Sequence, residues 1–352
     1  MPSLFQTSPP PLDEKSSYYD QLNCVLDPFF SEVDRIIFRH VLFNLFFVTL
    51  CAAEIVLLFL FFTILAQSLI LAFGLAVVFF TFFAYFTLRI YFQTKKPEQL
   101  RSIKNRYVEA CKNLLQRQND EKKEEELYTA LANAYCKFAN KLHAREYNYY
   151  RPLSWLSFLT PWTERLSCWL HWADIHLLKE QLLKEAVKEH VKLVKAQPIS
   201  LQAHASLANA YVMLSGLYID PRKMEGYDDE RWIPANKYND TFDDKFKETA
   251  ENAIEEFKIL EEFAPDDPWV HSQLAYSYHD MQMPLEEILE YETIQRLLPN
   301  DKDNLYKLGT LYFQQGMNAK GLRVYEELKK HHYERIDSLI KNYGCHKNRP
   351  FE

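Results

Sequence analysis

One carboxylate, Glu54, stands inside the run VLFNLFFVTLCAAEIVLLFLFFTILAQSLILAFGLAVVFFTFFAYFTLRIYF, Val41 to Phe92, whose 52 residues hold one other charge, Arg89. A carboxyl group in such surroundings can carry a proton or hold an ion. It can equally be a polar contact between helices or between copies of the chain. An ionised carboxylate at the centre of a span costs several kcal/mol, so it must find a partner. No second ionisable residue falls at that depth, which favours the contact. Folding the run about Gln67 brings Glu54 level with Phe80 and Thr81. A Glu54–Thr81 hydrogen bond is therefore expected.

Other chemistry-bearing residues do not assemble in the sequence. There is no P-loop, no H-E-x-x-H, no G-x-S-x-G and no nucleophile–base set, so no enzyme, cofactor or metal site is expected. Cys24, Cys51, Cys111, Cys136, Cys168 and Cys345 form no C-x-x-C pair, so neither a disulfide framework nor a zinc site is indicated. His171 and His176 are five apart and share a helix face poorly. His331-His332 and Cys345-His346 read as solvated. The net charge of −7 argues against nucleic acid.

These residues imply the elements that carry them. The chain has 352 residues with seven glycines, which favours long helices over sheets and Gly-rich loops. One crossing of a bilayer needs about 20 apolar residues. The run at 41–92 is twice that length and is broken by Ala66-Gln67-Ser68, so it predicts a hairpin of spans near 42–65 and 69–91. Soluble helices of this length keep a polar face, which this run lacks. Arg35, Arg39 and His40 precede the first span, and Lys95, Lys96, Arg101, Lys104 and Arg106 follow the second. The turn is uncharged, so the positive-inside rule puts both ends in the cytoplasm. Residues 1–36 hold six acidic and two basic groups with several prolines. They read as a disordered tail without the features of a cleaved signal peptide.

The remaining elements are set by a repeat. ALANAY (130–135), SLANAY (206–211), QLAYSY (273–278) and KLGTLY (307–312) share a Leu, a small residue and a Tyr four after the Leu. Leu274, Tyr278 and Tyr291 recur as Leu308, Tyr312 and Tyr325, each 34 residues on. These stretches resemble the tetratricopeptide repeat, whose units are antiparallel helix pairs that stack into a solenoid because neither helix buries its apolar face alone. In that family the second helix carries a small residue, an aromatic four later and a proline twelve later. Ala253, Phe257 and Pro265 fit; so do Ala186, His190 and Pro198, with His190 in the aromatic's place. Glu287 departs from the pattern where Ala is expected.

In the family the first-helix Tyr precedes that small residue by nine. Tyr211 precedes Ala253 by 42 and Tyr135 precedes Ala186 by 51, an excess of 33 and 42. Removing 42 from the 76 between Tyr135 and Tyr211 leaves 34. The chain therefore reads as all-α: a transmembrane hairpin (37–95), a linker helix (97–120) starting at Pro97, and a TPR-like α-solenoid (121–343). The solenoid has about four units, with two long insertions near 142–166 and 217–241. A short C-terminal helix caps it, and 344–352 form a tail. An extra degenerate helical unit within the insertions is the alternative.

The resemblance implies a protein or peptide ligand on the solenoid's inner face. It places Asn133, Asn209, Tyr276 and Thr310 there, each two residues before a repeat Tyr. Asparagine donates and accepts, so it can pair with an extended peptide backbone. Lys137 lies near Asn133, but Thr129 and Ala205 stand where a carboxylate clamp would need a base. The first insertion holds Trp155, Trp162, Trp169 and Trp172, and no charge lies between Arg151 and Glu164. It can pack over the first repeat, lie in the membrane interface or meet a partner. The second insertion is acidic and turn-rich and reads as solvated. The sequence thus points to a membrane-anchored scaffold without catalysis. A homo-oligomer through the hairpin stays open. So do two rivals: an oligomeric transporter or membrane enzyme using Glu54, and a secreted bacterial effector in a host-derived membrane. The two-lobed apolar segment is similar to that of chlamydial inclusion-membrane proteins.

Overall fold

The computed structural model describes residues 15–60, 69–117, 124–152, 154–223, 232–234 and 237–344. Among them there is no strand. The helices are α1 (Lys15–Leu60), α2 (Leu69–Arg117), α3 (Glu124–Lys141), α4 (Thr160–Ala196), α5 (Leu201–Ser215) and α6 (Asp240–Phe263). Then come α7 (Pro268–Asp280), α8 (Pro284–Leu297), α9 (Lys302–Gln314), α10 (Asn318–Lys330) and α11 (Ile336–Lys341). Two compact units result: residues 1–189 with 221–237, and residues 190–220 with 238–352.

In the first unit α1 and α2 run antiparallel. Leu58 meets Gly74, Glu54 meets Thr81, Phe43 meets Phe92 and Phe29 meets Tyr107. The paired numbers sum to nearly the same value throughout, as two helices folded back on each other require. At Gly74 any Cβ would lie 2.7 Å from Leu58 Cδ2, so glycine is what lets the helices approach there. Both helices are long and apolar enough to cross a membrane, and only 6 % of each apolar window is buried. The turn at Ala66-Gln67-Ser68 lies outside the described residues.

Two sequence expectations are corrected. Residues 15–36, expected in a disordered tail, are the first half of α1. Leu22, Leu26, Val33 and Ile37 recur at helical spacing and are buried, which offsets the cost of Pro28 inside the helix. Asp27, Glu32 and Asp34 from this stretch pair with Lys141, Arg106 and Arg145. The linker helix does not start at Pro97: α2 runs through it to Arg117. Leu100, Ile103 and Tyr107 are buried, and Tyr107 packs on Phe138 at 4.8 Å and donates to the Ala134 carbonyl of α3. The first repeat-type helix is thereby joined to the hairpin in one unit.

In the second unit, α5 to α11 pack in sequence order. The helices recur at the repeat interval: α7 and α9 start at 268 and 302, α8 and α10 at 284 and 318, a difference of 34 in each case. Each unit opens with a side-chain cap, Ser200, Asp267 or Asp301, two residues after Pro198, Pro265 or Pro299. The turn between paired helices also repeats. Met283 N–H donates to the Tyr278 carbonyl at 2.9 Å and Met317 N–H to the Tyr312 carbonyl at 2.8 Å. The residues before them, Gln282 and Gly316, have φ of 57° and 75°. This six-to-one closure with a left-handed residue ends a helix without stranding its carbonyls. Tyr312, Leu328 and Phe313 form one buried cluster with Tyr325 at its edge. Gly321 makes room for it, since a Cβ there would fall 2.5 Å from Phe313.

Candidate functional site

The residues expected on an inner face separate from the repeat tyrosines in three of the four helices; Asn209 and Tyr211 are both half-buried. Tyr135, Tyr278 and Tyr312 are buried, whereas Asn133 and Tyr276 are exposed and Asn209 and Thr310 are half-buried. Two residues along a helix is a rotation of about 200°, so one side chain enters the core as the other leaves it. Asn133 and Lys137, one turn apart on α3, are both exposed and share a face in the first unit. Asn209, Tyr276 and Thr310 belong to the second unit. There Lys307 of α9 reaches Tyr276 of α7, with Nζ 5.2 Å from the ring centroid and 3.3 Å from the hydroxyl it donates to. Thr310 donates to the Tyr306 carbonyl, one turn back, at 3.0 Å. Lys307 supplies a cation on this face that the sequence reading did not single out; it stands three residues before Thr310.

A second repeated device was also missed. His204 Nδ1 lies 2.6 Å from Glu256 and its Nε2 3.0 Å from the Pro198 carbonyl. His271 repeats this with Glu290 at 2.7 Å and the Pro265 carbonyl at 2.8 Å. Each ring faces two acceptors, so both nitrogens must donate and the imidazolium is the form that fits. Burial alone pushes each imidazole down, but the bonds to carboxylate and carbonyl outweigh it and raise both. Burial holds Glu290 above the carboxylate range despite His271. The signal was in the spacing: each His follows a junction proline by six, and Glu256 and Glu290 are 34 apart. Glu261 joins His271 and Glu290 with ligand atoms within 4.8 Å of one another. The His204 pair is built alike from one Glu, so the shared feature is a clamp between helices. His190, in the family's aromatic position, is buried and pushed down to about 4 by burial, so it serves as a neutral packing group.

The hairpin carries its own polar chain. Thr81 Oγ1 lies 2.8 Å from Glu54 Oε1, the bond expected from the fold-back about Gln67. The same Thr81 hydroxyl is 3.1 Å from the Val77 carbonyl. Further along, Arg89 donates to Tyr85 at 2.9 Å and Tyr85 to Asn44 at 3.3 Å. Asn44 in turn donates to the Tyr150 hydroxyl at 3.0 Å. Past the apolar run, Lys96 is buried against Asp174 and sits 3.4 Å from His171 Nδ1. Burial works against the Asp174 carboxylate, but His171 and Lys96 together draw it below its ordinary range. Burial pushes the His171 imidazole down. The first insertion therefore packs on α1, through Tyr149, whose hydroxyl donates to Asp34, and Tyr150, which accepts from Asn44. Its Trp155, Phe158, Trp162 and Trp169 stay 73, 70, 71 and 56 % exposed, and only Trp172 of the four tryptophans is buried. A cavity of about 340 Å³ opens beside them, lined by Tyr150, Arg151, Ser157 and Glu164 among others.

Among the described residues the fold is all-α, with helix pairs that recur at a 34-residue interval and two long apolar helices ahead of them in the chain. No family model and no curated protein matches the chain. Among solved structures it is similar to a thermophilic TPR protein of Thermus thermophilus, at 17 % identity and a TM-score of 0.30, covering 66 % of this chain and 99 % of that one.

Proposed function

We propose that the chain is a membrane-anchored scaffold that holds a protein partner through its helical repeats. The observation that carries the anchor is the surface of the hairpin. Phe59, Phe73, Phe79 and Phe80 are 83, 70, 74 and 69 % exposed on helices that bury almost nothing of their apolar stretch. Water-soluble proteins rarely leave such a contiguous surface bare, whereas lipid solvates it. Basic flanks put both ends and all repeats on the cytoplasmic side. Apart from the tail at 1–36 and the linker start at Pro97, the boundaries read from the sequence are kept, with four repeat units over 121–343.

The partner surfaces are the face of Asn133 and Lys137 in the first unit and that of Asn209, Tyr276 and Thr310, extended by Lys307, in the second. Helical repeats recruit peptides by such faces, and the asparagines supply paired donor and acceptor groups. The decisive test is retention of the full chain in membranes after alkaline carbonate, followed by partner cross-linking through a photoreactive side chain at position 133 or 209. Release by carbonate sinks the anchor. Cross-links that leave the partner pattern unchanged when moved to the opposite helix face sink the site.

A further inference from the structure

The hairpin and α4 share a register that says where the aromatic insertion lies. Lys96, Lys104 and Lys112 of α2 pair in order with Asp174, Glu185 and Glu189 of α4. The helices therefore run parallel, with partner numbers 78, 81 and 77 apart. Continued back along α4, that offset sets Trp162, Leu166 and Trp169 level with residues near 84, 88 and 91 of α2. These belong to the apolar run, not to the polar part that follows it. A second route agrees. Asn44 bonds both Tyr85 and Tyr150, and Tyr149 N–H donates to Ser167 Oγ at 3.1 Å. The insertion is thus pinned to the hairpin at the level of its first turns inside the run.

The depth follows from length. Each arm of the run has 26 residues, half of 52, or about 39 Å at 1.5 Å per residue. The hydrocarbon core takes about 30 Å of this. About six residues per arm remain for the headgroup layer at the basic end, where tryptophan is enriched. Leu166 and Trp169 fall in that layer and Trp162 just beneath it. Each is exposed, as are Trp155 and Phe158 on the turn that precedes α4. Glu164 and Arg165, exposed on the same helix, are long enough to keep their charges among headgroups.

The geometry points to an interfacial foot: residues 154–169 bury Trp155, Phe158, Trp162 and Trp169 in the headgroup–acyl boundary of the membrane that the hairpin crosses. This rests on the anchor reading above and goes further. It makes the first unit a three-point attachment, with two spans and one foot, and so fixes the tilt of the part of α4 within that unit.

The run from Val41 to Phe92 contains no tryptophan, so tryptophan emission reports the foot and not the spans. The full chain is reconstituted into phosphatidylcholine vesicles with acyl chains brominated near the carbonyl. Two versions keep a single tryptophan, Trp162 or Trp269, with the others changed to Phe. Trp162 is expected to lose about half its emission relative to unbrominated vesicles, as for a ring seated at the interface, while Trp269 is unchanged. Equal emission from Trp162 in both vesicles, with the chain retained after carbonate, overturns the foot alone. Release by carbonate overturns the foot together with the anchor. The chain with all six tryptophans, compared with its Trp155→Phe, Trp162→Phe, Trp169→Phe variant, gives the same contrast if a single-tryptophan version fails to fold. Its quenching should vanish in the variant, and persistence would place the quenched ring elsewhere.

Discussion

Thr81 Oγ1 lies 2.8 Å from Glu54 Oε1 across two antiparallel helices, and 3.1 Å from the carbonyl of Val77 on its own helix. A threonine hydroxyl has one proton. It can give that proton to one acceptor, so both contacts are hydrogen bonds together only if the carboxyl donates to Thr81. Glu54→Gln preserves a donor and an acceptor of the same shape, and should leave hairpin stability in detergent within about 1 kcal/mol. Glu54→Leu with Thr81 kept should cost less than Thr81→Val with Glu54 kept, because the latter strands a buried carboxyl. Thermal unfolding of the three variants decides it. A transport or enzymatic role for Glu54 would instead show as loss of activity in the Gln variant with unchanged melting.

Topology gives the next expectation. Reporters placed before Pro2 and after Glu352 should both read out on the cytoplasmic face, since Arg35, Arg39, Lys95 and Lys96 flank the two spans at one end. Protease added outside sealed membranes should leave both intact. Opposite sides for the two reporters would remove the hairpin.

The hairpin was legible because a fold-back fixes its own register: once Gln67 is the turn, Glu54 and Thr81 must meet. The repeat was legible because Tyr278, Tyr291 and Tyr312, which are buried, and Tyr325, at the cluster's edge, are large and spaced by a stacking unit. The helix over 15–36 was hidden by its composition. Its acidic residues read as solvated, yet Asp27, Glu32 and Asp34 are held by Lys141, Arg106 and Arg145, which come from 74 to 114 residues away. Leu22, Leu26, Val33 and Ile37 carry a helical spacing that the acidic, proline-containing composition of 1–36 masks. For the binding face, Asn133 and Tyr276 could be placed outward from the position of each Tyr. That Lys307 would cross to Tyr276 depends on how α7 and α9 stack, which no single helix encodes.

Packing at the last repeat predicts stability. Tyr312 is buried with Leu328, and its hydroxyl donates to Glu292 at 2.7 Å. Tyr312→Ala removes a buried aromatic and should cost about 3–5 kcal/mol. Gly321→Ala drives a Cβ to 2.5 Å from Phe313 and should cost about 1–3 kcal/mol by overpacking. Calorimetry of the full chain in detergent checks both; an unchanged melt for Tyr312→Ala would break the repeat assignment there.

The His204–Glu256 and His271–Glu290 clamps predict a pH dependence. Both imidazoles are raised above the usual value near 6.5 by bonds that outweigh burial. A group whose folded pKa is raised binds its proton more tightly when folded. Its stabilisation is full below about pH 6.5 and is lost as pH rises through the higher folded value. Glu290, also raised, acts in the same direction. The melting temperature should therefore fall as pH climbs above about 6.5, and His204→Gln with His271→Gln should flatten that fall. A wild-type melt that rises over the same interval would contradict the clamp.

The two asparagines give the functional prediction. Asn133 sits two residues before Tyr135, which is fully buried, and Asn209 two before Tyr211, which is half-buried. Asn133 therefore projects away from the stripe that its helix buries, and Asn209 lies half-buried at the edge of its own. Neither asparagine is among the buried residues, so replacing both with Ala should leave circular dichroism unchanged. Each hydrogen bond lost to a partner backbone costs about 0.5–1.5 kcal/mol, more where the partner group is then buried unpaired. The double variant should bind about 10- to 100-fold more weakly, since each 1.4 kcal/mol is tenfold. Lys307→Gln, which removes the cation beside Tyr276, should weaken binding of an acidic partner and lower its salt dependence. Equal affinity for the Asn133→Ala, Asn209→Ala chain and the wild type would move the partner site off this face. A loss of helical signal would instead make the asparagines structural.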